Sequence, residues 1–157
     1  MKPIIQEGVV INRKSVFVGM GAFIRGPHTY IGDNCSIGAY AEISHHVNIS
    51  DGVRIHSKCF IAEYTQIKKG AWIGPCACIT NARYPGFEGA KKLIKGVIIE
   101  EGVIIGANST ILSGIKIGKD SFIGAGAVVT KDVPENEVWV GNPAKKLKLK
   151  SEYSVYV

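Results

Sequence analysis

The sequence lacks any long hydrophobic run. No stretch of the 157 residues approaches the length of a membrane span, and the N-terminal segment MKPIIQEGVV has no apolar signal core. A compact cluster of basic and aromatic residues, typical of nucleic-acid-binding modules, is also missing. We therefore expect a cytoplasmic protein with neither a membrane nor a nucleic acid as partner. Its net charge of +6 favours an anionic small molecule.

The cysteines lack the spacing of a zinc site. Cys76 and Cys78 are separated by one residue, and no second close pair accompanies them, since Cys35 and Cys59 stand far apart. This arrangement predicts four buried or inert thiols in a reducing compartment and no metal.

The chain does contain a strict six-residue repeat. Neither a helix nor a strand has a period of six, but a short strand plus a corner does, and three such sides close a triangular coil of eighteen residues. A sandwich of alternating strands, the competing interpretation, does not keep one period through nine segments. The sequence therefore predicts an all-β parallel β-helix, with residues 1–157 forming a single domain around a columnar core. The repeated isoleucines are Ile31, Ile37, Ile43, Ile49, Ile55, Ile61, Ile67, Ile73 and Ile79.

A second inward position, four residues after each isoleucine, carries mostly small side chains such as Cys35 and Ala41. The repeat resumes at Ile99 and continues to Val129. Before Ile31 it is looser, and the inward residues are predicted to be Ile5, Ile11, Phe17 and Phe23. The eight-residue step from Phe23 to Ile31 predicts a two-residue bulge near Gly26-Pro27.

Each coil has three corners, and stacked coils place corner residues in vertical files ~4.8 Å apart. One file, which we call the turn edge, consists of turn-forming residues that tolerate positive φ and face solvent. A second, the small-residue edge, is predicted either to pack against a neighbouring subunit or to form a groove for a thin ligand. The turn edge contains Asp33-Asn34, Asp51-Gly52, Lys69-Gly70, Glu101-Gly102 and Lys119-Asp120, and the small-residue edge contains Ala39, Ser57, Pro75, Ala107 and Ala125.

The third file, the polar edge, places His45, Glu63 and Asn81 one above another, with His46 and Tyr64 beside them. Three unrelated surface residues would explain it equally well. The alternative is the wall of a polar site, in which the carboxylate fixes the tautomer of the imidazole.

A loop interrupts the repeat near residues 80–98, because Ile79 and Ile99 are twenty residues apart where six are due. Long loops in compact domains are usually functional or disordered. This one is basic and begins at the polar edge. We expect it to cover a substrate or to reach the next subunit.

The Ile-Gly-x-x-small-x hexads resemble the left-handed parallel β-helix of the hexapeptide-repeat acyltransferases. That resemblance implies the left-handed twist and a homotrimer with active sites between subunits. The segment TNARYP, followed by a basic loop and the ending VWVGNPAKKLK, is similar to the sugar-nucleotide 3-N-acetyltransferases. It implies transfer of acetyl from acetyl-CoA to the amine of a nucleotide-linked amino sugar. Gly86 departs from the Arg that members often carry after the proline.

The resemblance places Asn81 near the thioester, and the corner positions suggest roles for the residues around it. Asn81 would position the amine or assist the oxyanion, and His45, oriented by Glu63, is the best protein base if one is used. His45 lies two coils from Asn81, which favours a role as a sugar or diphosphate contact. The acceptor would be bound by Arg83, Tyr84, His46 and Tyr64.

Acetyl-CoA would bind to the C-terminal residues and along the small-residue edge. Its phosphates would lie near Lys145 and Lys146, and its arm would run beside Gly106, Ala107, Gly124 and Ala125. No metal is required. The resemblance implies that the adenine region is bound by Gly141, Asn142, Pro143 and Ala144.

Three other functions remain open. An O-acetyltransferase is the nearest, although its usual loop histidine is absent, since no histidine follows His56. A carbonic-anhydrase-like metal protein of the same fold needs three histidines that converge across a subunit boundary. A non-enzymatic β-helix scaffold needs neither the basic loop nor the C-terminal motif.

Overall fold

The computed structural model describes residues 1–12 and 15–152. Residues 153–157 of the predicted C-terminal tail 134–157 lie outside the described residues. Within these ranges the chain forms 21 strands, most of only two residues, and short 3-10 helices at Ala90–Leu93 and Lys150–Glu152. The strands are β1 Ile4–Ile5, β2 Val9–Ile11, β3 Phe17–Val18, β4 Phe23–Ile24, β5 Thr29–Ile31, β6 Ser36–Ile37, β7 Glu42–Ile43, β8 Asn48–Ile49, β9 Arg54–Ile55, β10 Phe60–Ile61, β11 Gln66–Ile67, β12 Trp72–Ile73, β13 Cys78–Ile79, β14 Ile98–Ile99, β15 Ile104–Ile105, β16 Thr110–Ile111, β17 Lys116–Ile117, β18 Phe122–Ile123, β19 Val128–Val129, β20 Glu137–Val140 and β21 Lys145–Leu149.

Every third strand joins the same sheet, which makes the fold a parallel β-helix. Sheet A runs β1-β4-β7-β10-β13-β16-β19, sheet B runs β2-β5-β8-β11-β14-β17, and sheet C runs β3-β6-β9-β12-β15-β18-β20-β21. Ile43 pairs with Ile61, and Ile61 with Ile79, so one coil is eighteen residues long. The predicted left-handed parallel β-helix is confirmed.

The core is a column of stacked aliphatic side chains. Each of the nine predicted isoleucines from Ile31 to Ile79 is at most 1% exposed. The second inward file is buried as well, including Cys35, Cys59 and Ala71. Fully burying an isoleucine side chain contributes about 1.5–3 kcal/mol, so each coil is held mainly by the coils above and below it.

The first coils correct two predictions. Phe17 is 62% exposed, and Val18 pairs with the buried Ile37 instead. Likewise Ile24, rather than Phe23, is buried and pairs with Ile43. The predicted two-residue bulge is thereby divided into two single extra residues, before Val18 and after Ile24. Where two adjacent residues are both apolar, the narrow interior accepts the aliphatic one and turns the phenyl ring outward.

The turn edge lies between sheets B and C and has the predicted backbone. Asn34, Gly52 and Asp120 have φ of 57°, 70° and 57°. These residue types adopt left-handed conformations at low cost. The small-residue edge lies between sheets C and A, and the polar edge lies between sheets A and B.

The loop is inserted into the polar edge itself. Register is kept across it, because Ile67 pairs with Ile99. The amide of Lys95 donates to the carbonyl of Asn81 at 2.9 Å, which closes the base of the loop. Within the described ranges, no helix has both the length and the apolarity needed to cross a bilayer.

At the other end of the helix axis from β1, strands β20 and β21 form an antiparallel hairpin on the edge of sheet C. Trp139 is 6% exposed and Ala144 2% exposed. The hairpin therefore covers the last coil with buried side chains, as the end of a solenoid requires.

Candidate active site

The predicted polar file exists as a chain of hydrogen bonds. Glu63 lies between its two neighbours: Oε1 is 2.8 Å from His45 Nε2, and Oε2 accepts from Asn81 Nδ2 at 3.4 Å. The side chains of His45 and Glu63 are 34% and 29% exposed. The carboxylate thus accepts hydrogen bonds from the coil below and the coil above.

A second imidazole completes the proton arrangement around His45. His45 Nδ1 and His46 Nδ1 are 2.6 Å apart, so a hydrogen must lie between them. A neutral His45 that donates Nε2–H to Glu63 accepts from His46 Nδ1–H. Both nitrogens of His45 are then engaged, which leaves no free lone pair and favours a positioning role for this residue over that of a base.

A file of rings runs beside the polar file. The ring centroids of His28 and His46 are 4.8 Å apart, and those of His46 and Tyr64 are 5.2 Å apart. All three residues have φ between 59° and 63°. We call these three residues the ring file. His28 lies eighteen residues before His46, so the repeat itself could have found it, but the polar edge was predicted only from His45 and His46 upward.

Ser113 holds Asn81 in place. Its Oγ lies 2.8 Å from the carbonyl oxygen of Asn81 and 3.0 Å from that of Lys95, so it bridges the two ends of the loop. Ser113 is 5% exposed. Counting eighteen residues does not find it, because the inserted loop places it 32 residues after Asn81.

The two loop residues predicted to bind the acceptor, Arg83 and Tyr84, follow Asn81 at the start of the loop. Arg83 Nη2 donates to the carbonyl of Thr130 at 3.1 Å, and the ring of Tyr84 contacts that of Phe87 at 6.3 Å between centroids. Both residues line a cavity of about 250 Å³ with Lys95 and Ser113. Tyr84, Phe87 and Leu93 are 57–73% exposed, so the loop presents apolar side chains outward.

The predicted path of acetyl-CoA follows a groove on sheet C. Its volume is about 560 Å³, and its walls are largely apolar. It contains three of the four residues predicted for the arm, namely Gly106, Ala107 and Ala125. The other lining residues are Gly70, Trp72, Gly102, Ile104 and Phe122.

The glycines of this region have a structural reason that sequence analysis did not give. A Cβ on Gly106 would lie 2.4 Å from the amide nitrogen of Ala125, and one on Gly124 would lie 2.7 Å from Val140 Cγ1. The next coil thus occupies the space above each glycine. Stacking alone requires them, and their contact with a ligand stays a prediction.

The two lysines predicted to contact the phosphates of acetyl-CoA, Lys145 and Lys146, have different surroundings in the C-terminal hairpin. Lys146 Nζ is 2.6 Å from Glu137 Oε1, and Trp139 Nε1 donates to Oε2 at 2.7 Å. The hydrogen bond from Lys146, followed by that from Trp139, lowers the pKa of Glu137. Lys145 is exposed and forms no ion pair within the described ranges. It is therefore the lysine free to meet a phosphate.

The turn at the tip of the hairpin carries the residues predicted for the adenine. Gly141 has φ of 93°, which favours glycine, and the Asn142-Pro143 peptide is cis. Ala144 is buried and its amide donates to the carbonyl of Val128 at 2.8 Å. The turn is thus anchored to the last coil of sheet A.

The residues predicted to bind acetyl-CoA and those predicted to bind the acetyl acceptor lie on different edges of one chain. Gly106, Ala107 and Ala125 belong to the small-residue edge, whereas Asn81 and Glu63 belong to the polar edge, and sheet A separates the two. A single chain therefore does not bring the two halves of the predicted site together.

The thiols and possible metal ligands are arranged as follows. All four cysteines are free; Cys35 and Cys59 are buried, and burial raises the pKa of Cys59 to about 11. Cys76, which was expected to be an inert thiol, is exposed at the small-residue edge. Among residues 1–12 and 15–152, no group of three or more histidine, cysteine or acidic residues could hold a metal ion.

Comparison with known proteins identifies the repeats. The sequence pattern of the bacterial transferase hexapeptide family, six repeats long, matches residues 28–63 and 96–131. These two ranges flank the loop, so the family pattern accounts for the coils on both sides of it.

Individual relatives are similar over different lengths. A 2,3,4,5-tetrahydropyridine-2,6-dicarboxylate N-acetyltransferase from Staphylococcus aureus is 54% identical over 56 residues, which are 36% of this chain and only 23% of that protein.

Two solved structures from Bacillus cereus share the fold across most of the chain. The product of the BC4754 gene, described as an acetyltransferase, has a TM-score of 0.75 at 23% identity, and the match covers 95% of this chain and 84% of that one. A mutant of AntD, an N-acyltransferase in complex with dTDP-4-amino-4,6-dideoxyglucose and coenzyme A, has a TM-score of 0.69 at 22% identity, over 94% of this chain and 83% of its own.

Proposed function

We propose, from the match of residues 28–63 and 96–131 to the bacterial transferase hexapeptide repeats, that the chain is an acetyl-CoA-dependent N-acetyltransferase. Its acceptor is the amino group of a nucleotide-linked amino sugar. The observation that carries the proposal is the hydrogen-bonded file of His45, Glu63 and Asn81 at the base of the loop. Acidic and amide acceptors in this register bind an ammonium or amine and the hydroxyls of a sugar.

The donor half fits the groove on sheet C. Acetyl-CoA supplies an activated acyl group on a thin arm, and the apolar groove lined by Trp72, Ile104 and Phe122 accepts such an arm. Lys145 at the hairpin supplies a free cation for phosphate. Lys146 is held by Glu137 and contributes less.

The acceptor half positions the amine. Asn81 is fixed through its main chain by Ser113 and through its side chain by Glu63, so its amide is oriented without help from substrate. A preorganised amide costs no reorganisation when charge develops in the transition state. Glu63 can accept a hydrogen bond from the amine, which aligns the nitrogen lone pair for attack.

No protein base is required for this chemistry. The amine attacks as its neutral form, the carbon–sulfur bond breaks, and the departing thiolate takes up the proton that the nitrogen loses. His45, with both nitrogens engaged, orients Glu63 and contacts the acceptor.

The two halves meet when neighbouring subunits place a small-residue edge beside a polar edge. A homotrimer does this three times with one kind of contact, as closed symmetry requires. The exposed apolar residues of the loop, Tyr84, Phe87 and Leu93, would then be covered by the neighbour. Light scattering that reports a monomer under assay conditions would contradict this arrangement.

The function is tested by incubating the purified protein with acetyl-CoA and a panel of nucleotide-linked amino sugars. We expect release of free CoA thiol and a mass increase of one acetyl group on the sugar, unaffected by a metal chelator. Acetylation only of a hydroxyl acceptor would establish the O-acetyltransferase, and acetylation only of a tetrahydropyridine dicarboxylate would establish the activity named for the Staphylococcus aureus relative.

Two results would contradict the acetyltransferase proposal altogether. If calorimetry detected no binding of CoA, the non-enzymatic β-helix scaffold would be favoured instead. Hydration of carbon dioxide that depends on added zinc would establish the carbonic-anhydrase-like protein, whose histidines would come from two subunits.

A further inference from the structure

The ring file is unusual for its side chains. His28, His46 and Tyr64 all occupy the left-handed region, where the turn edge has Asn34, Gly52, Gly70, Gly102 and Asp120. The backbone alone does not set the polar edge apart, because the small-residue edge carries Tyr40, Lys58 and Cys76 at φ of 57–61°. What distinguishes the polar edge is that its three side chains are rings that contact one another in sequence beside Glu63 and Asn81.

The ring file has a definite place relative to Asn81. Tyr64 is one coil below Asn81, His46 two and His28 three, so the far ring lies roughly 14 Å below the amide at ~4.8 Å per coil. The rings are 4.8 and 5.2 Å apart and tilted by 41° and 38°. They form one continuous aromatic surface that begins at the site of acetyl transfer and leads away from it.

We propose that the ring file binds the heteroaromatic base of the acceptor, which makes the nucleotide, and not the sugar alone, the feature that this protein recognises. The inference rests on the proposed function and deepens it. An acceptor with its amine at Asn81 and its sugar at Glu63 has its base two to three coils lower, where His46 and His28 present their rings. Any nucleobase can stack on such rings, because every base has a flat π face.

The carboxylate of Glu63 at the centre of the polar edge favours an amino sugar over the smaller, dianionic acceptor. A dicarboxylate needs cations, but the group between His45 and Asn81 is the carboxylate of Glu63. The nearest arginine of the loop, Arg83, donates to Thr130, and the arginine of the lower coils, Arg25, donates to Glu42 at 2.7 Å. A dicarboxylate on this edge would meet like charge.

The test replaces a ring without changing the backbone. In His28→Asn the asparagine tolerates the positive φ, and the ring lost is the one farthest from Asn81. The matched control is Asn34→Gly, which changes a residue at φ 57° on the turn edge, outside the proposed site. His46 is less suitable, because it also contacts His45 Nδ1.

Two measurements are made on the full chain. Calorimetry measures binding of uridine, thymidine and guanosine diphosphates without acetyl-CoA, and steady-state assays compare a nucleotide-linked amino sugar with the same sugar lacking the nucleotide. We expect His28→Asn to weaken diphosphate binding and raise the KM of the linked acceptor by about tenfold or more, the range of one base–aromatic stack. Its kcat, and both constants in Asn34→Gly, should stay within about twofold of wild type.

The outcomes separate the two proposals. Nucleoside diphosphate binding that His28→Asn weakens supports the ring file even if no acetyl transfer to an amino sugar is found, in which case the proposed function alone fails. Equal KM values for the linked and the free amino sugar would overturn the ring file and leave the acetyltransferase standing. Wild-type binding of all three diphosphates by His28→Asn would also overturn it.

Discussion

The polar edge and the turn edge have the same backbone and opposite side chains. Both turn through a residue at φ near 60°, and both stack at eighteen residues per coil. The turn edge fills the position with residues suited to it, such as Gly52, Gly70 and Asp120. The polar edge fills it with His28, His46 and Tyr64. Positive φ alone does not explain the difference, because the small-residue edge also carries bulky residues such as Tyr40 and Lys58 there; the contact between successive rings is what sets the polar edge apart.

Hydrogen bonding distinguishes the edges in the same way. On the turn edge, Asp51 Oδ1 accepts from the amide of Asp33 at 2.8 Å, which serves the turn. On the polar edge, Glu63 accepts from two other side chains, His45 and Asn81. Carboxylates in equivalent places therefore do structural work on one edge and hold functional groups on the other. The comparison can be tested one residue at a time.

The largest expected effect is that of Asn81→Ala. Loss of a preorganised amide at the transition state lowers kcat about 10²- to 10³-fold. Turnover by thiol release measures it, and circular dichroism checks the fold. The control Asn34→Gly removes the same residue type from the turn edge, where glycine accepts the φ of 57°. If both variants kept wild-type turnover, Asn81 would not belong to the site.

Glu63→Gln comes next. The amide still accepts from His45 Nε2–H, but its NH₂ group then faces the NH₂ of Asn81, so one charge-assisted hydrogen bond is lost. Such bonds contribute about 1.5–3 kcal/mol, which corresponds to a kcat lower by tenfold or more. Glu101→Gln provides the matched carboxylate on the turn edge, where Glu101 pairs with Lys119. Equal rates for the two variants would remove the distinction between the edges.

Gly52→Tyr tests the cost of a ring at positive φ. A Cβ on Gly52 meets no atom closer than 3.9 Å, so the substitution adds backbone strain without a clash. The free energy of unfolding should fall by about 1–2 kcal/mol. Urea denaturation at one fixed protein concentration measures the change, while acetyl transfer should stay at the wild-type rate. Unchanged stability would mean that a ring at positive φ costs nothing in this fold.

Asp51→Ala has the smallest expected effect. It deletes the acceptor for the amide of Asp33 at an exposed turn. The free energy of unfolding should fall by about 0.5–1 kcal/mol, because water replaces part of the bond. Activity should not change. A loss of turnover comparable to that of Glu63→Gln would show that the turn edge also takes part in function.

Most of the fold could be predicted from the sequence, because a six-residue period has one common structural solution. The same counting placed His45, Glu63 and Asn81 in one file. It failed at Phe17 and Phe23, where adjacent apolar residues hide the phase of the repeat and only the width of the interior decides between them. It also missed Ser113, since the loop changes the distance along the chain between vertical neighbours. His28, eighteen residues before His46, was within reach of the same counting.

The sequence by itself determined the coil, the three edges and which residues share an edge, because a repeat converts position along the chain into position in space. Only the tertiary structure decided what those neighbours do. It showed that Glu63 receives hydrogen bonds from both sides, that Ser113 closes the loop, and that the predicted donor and acceptor residues lie on different edges. Side-chain direction and packing across coils set these contacts, and a one-dimensional period carries neither.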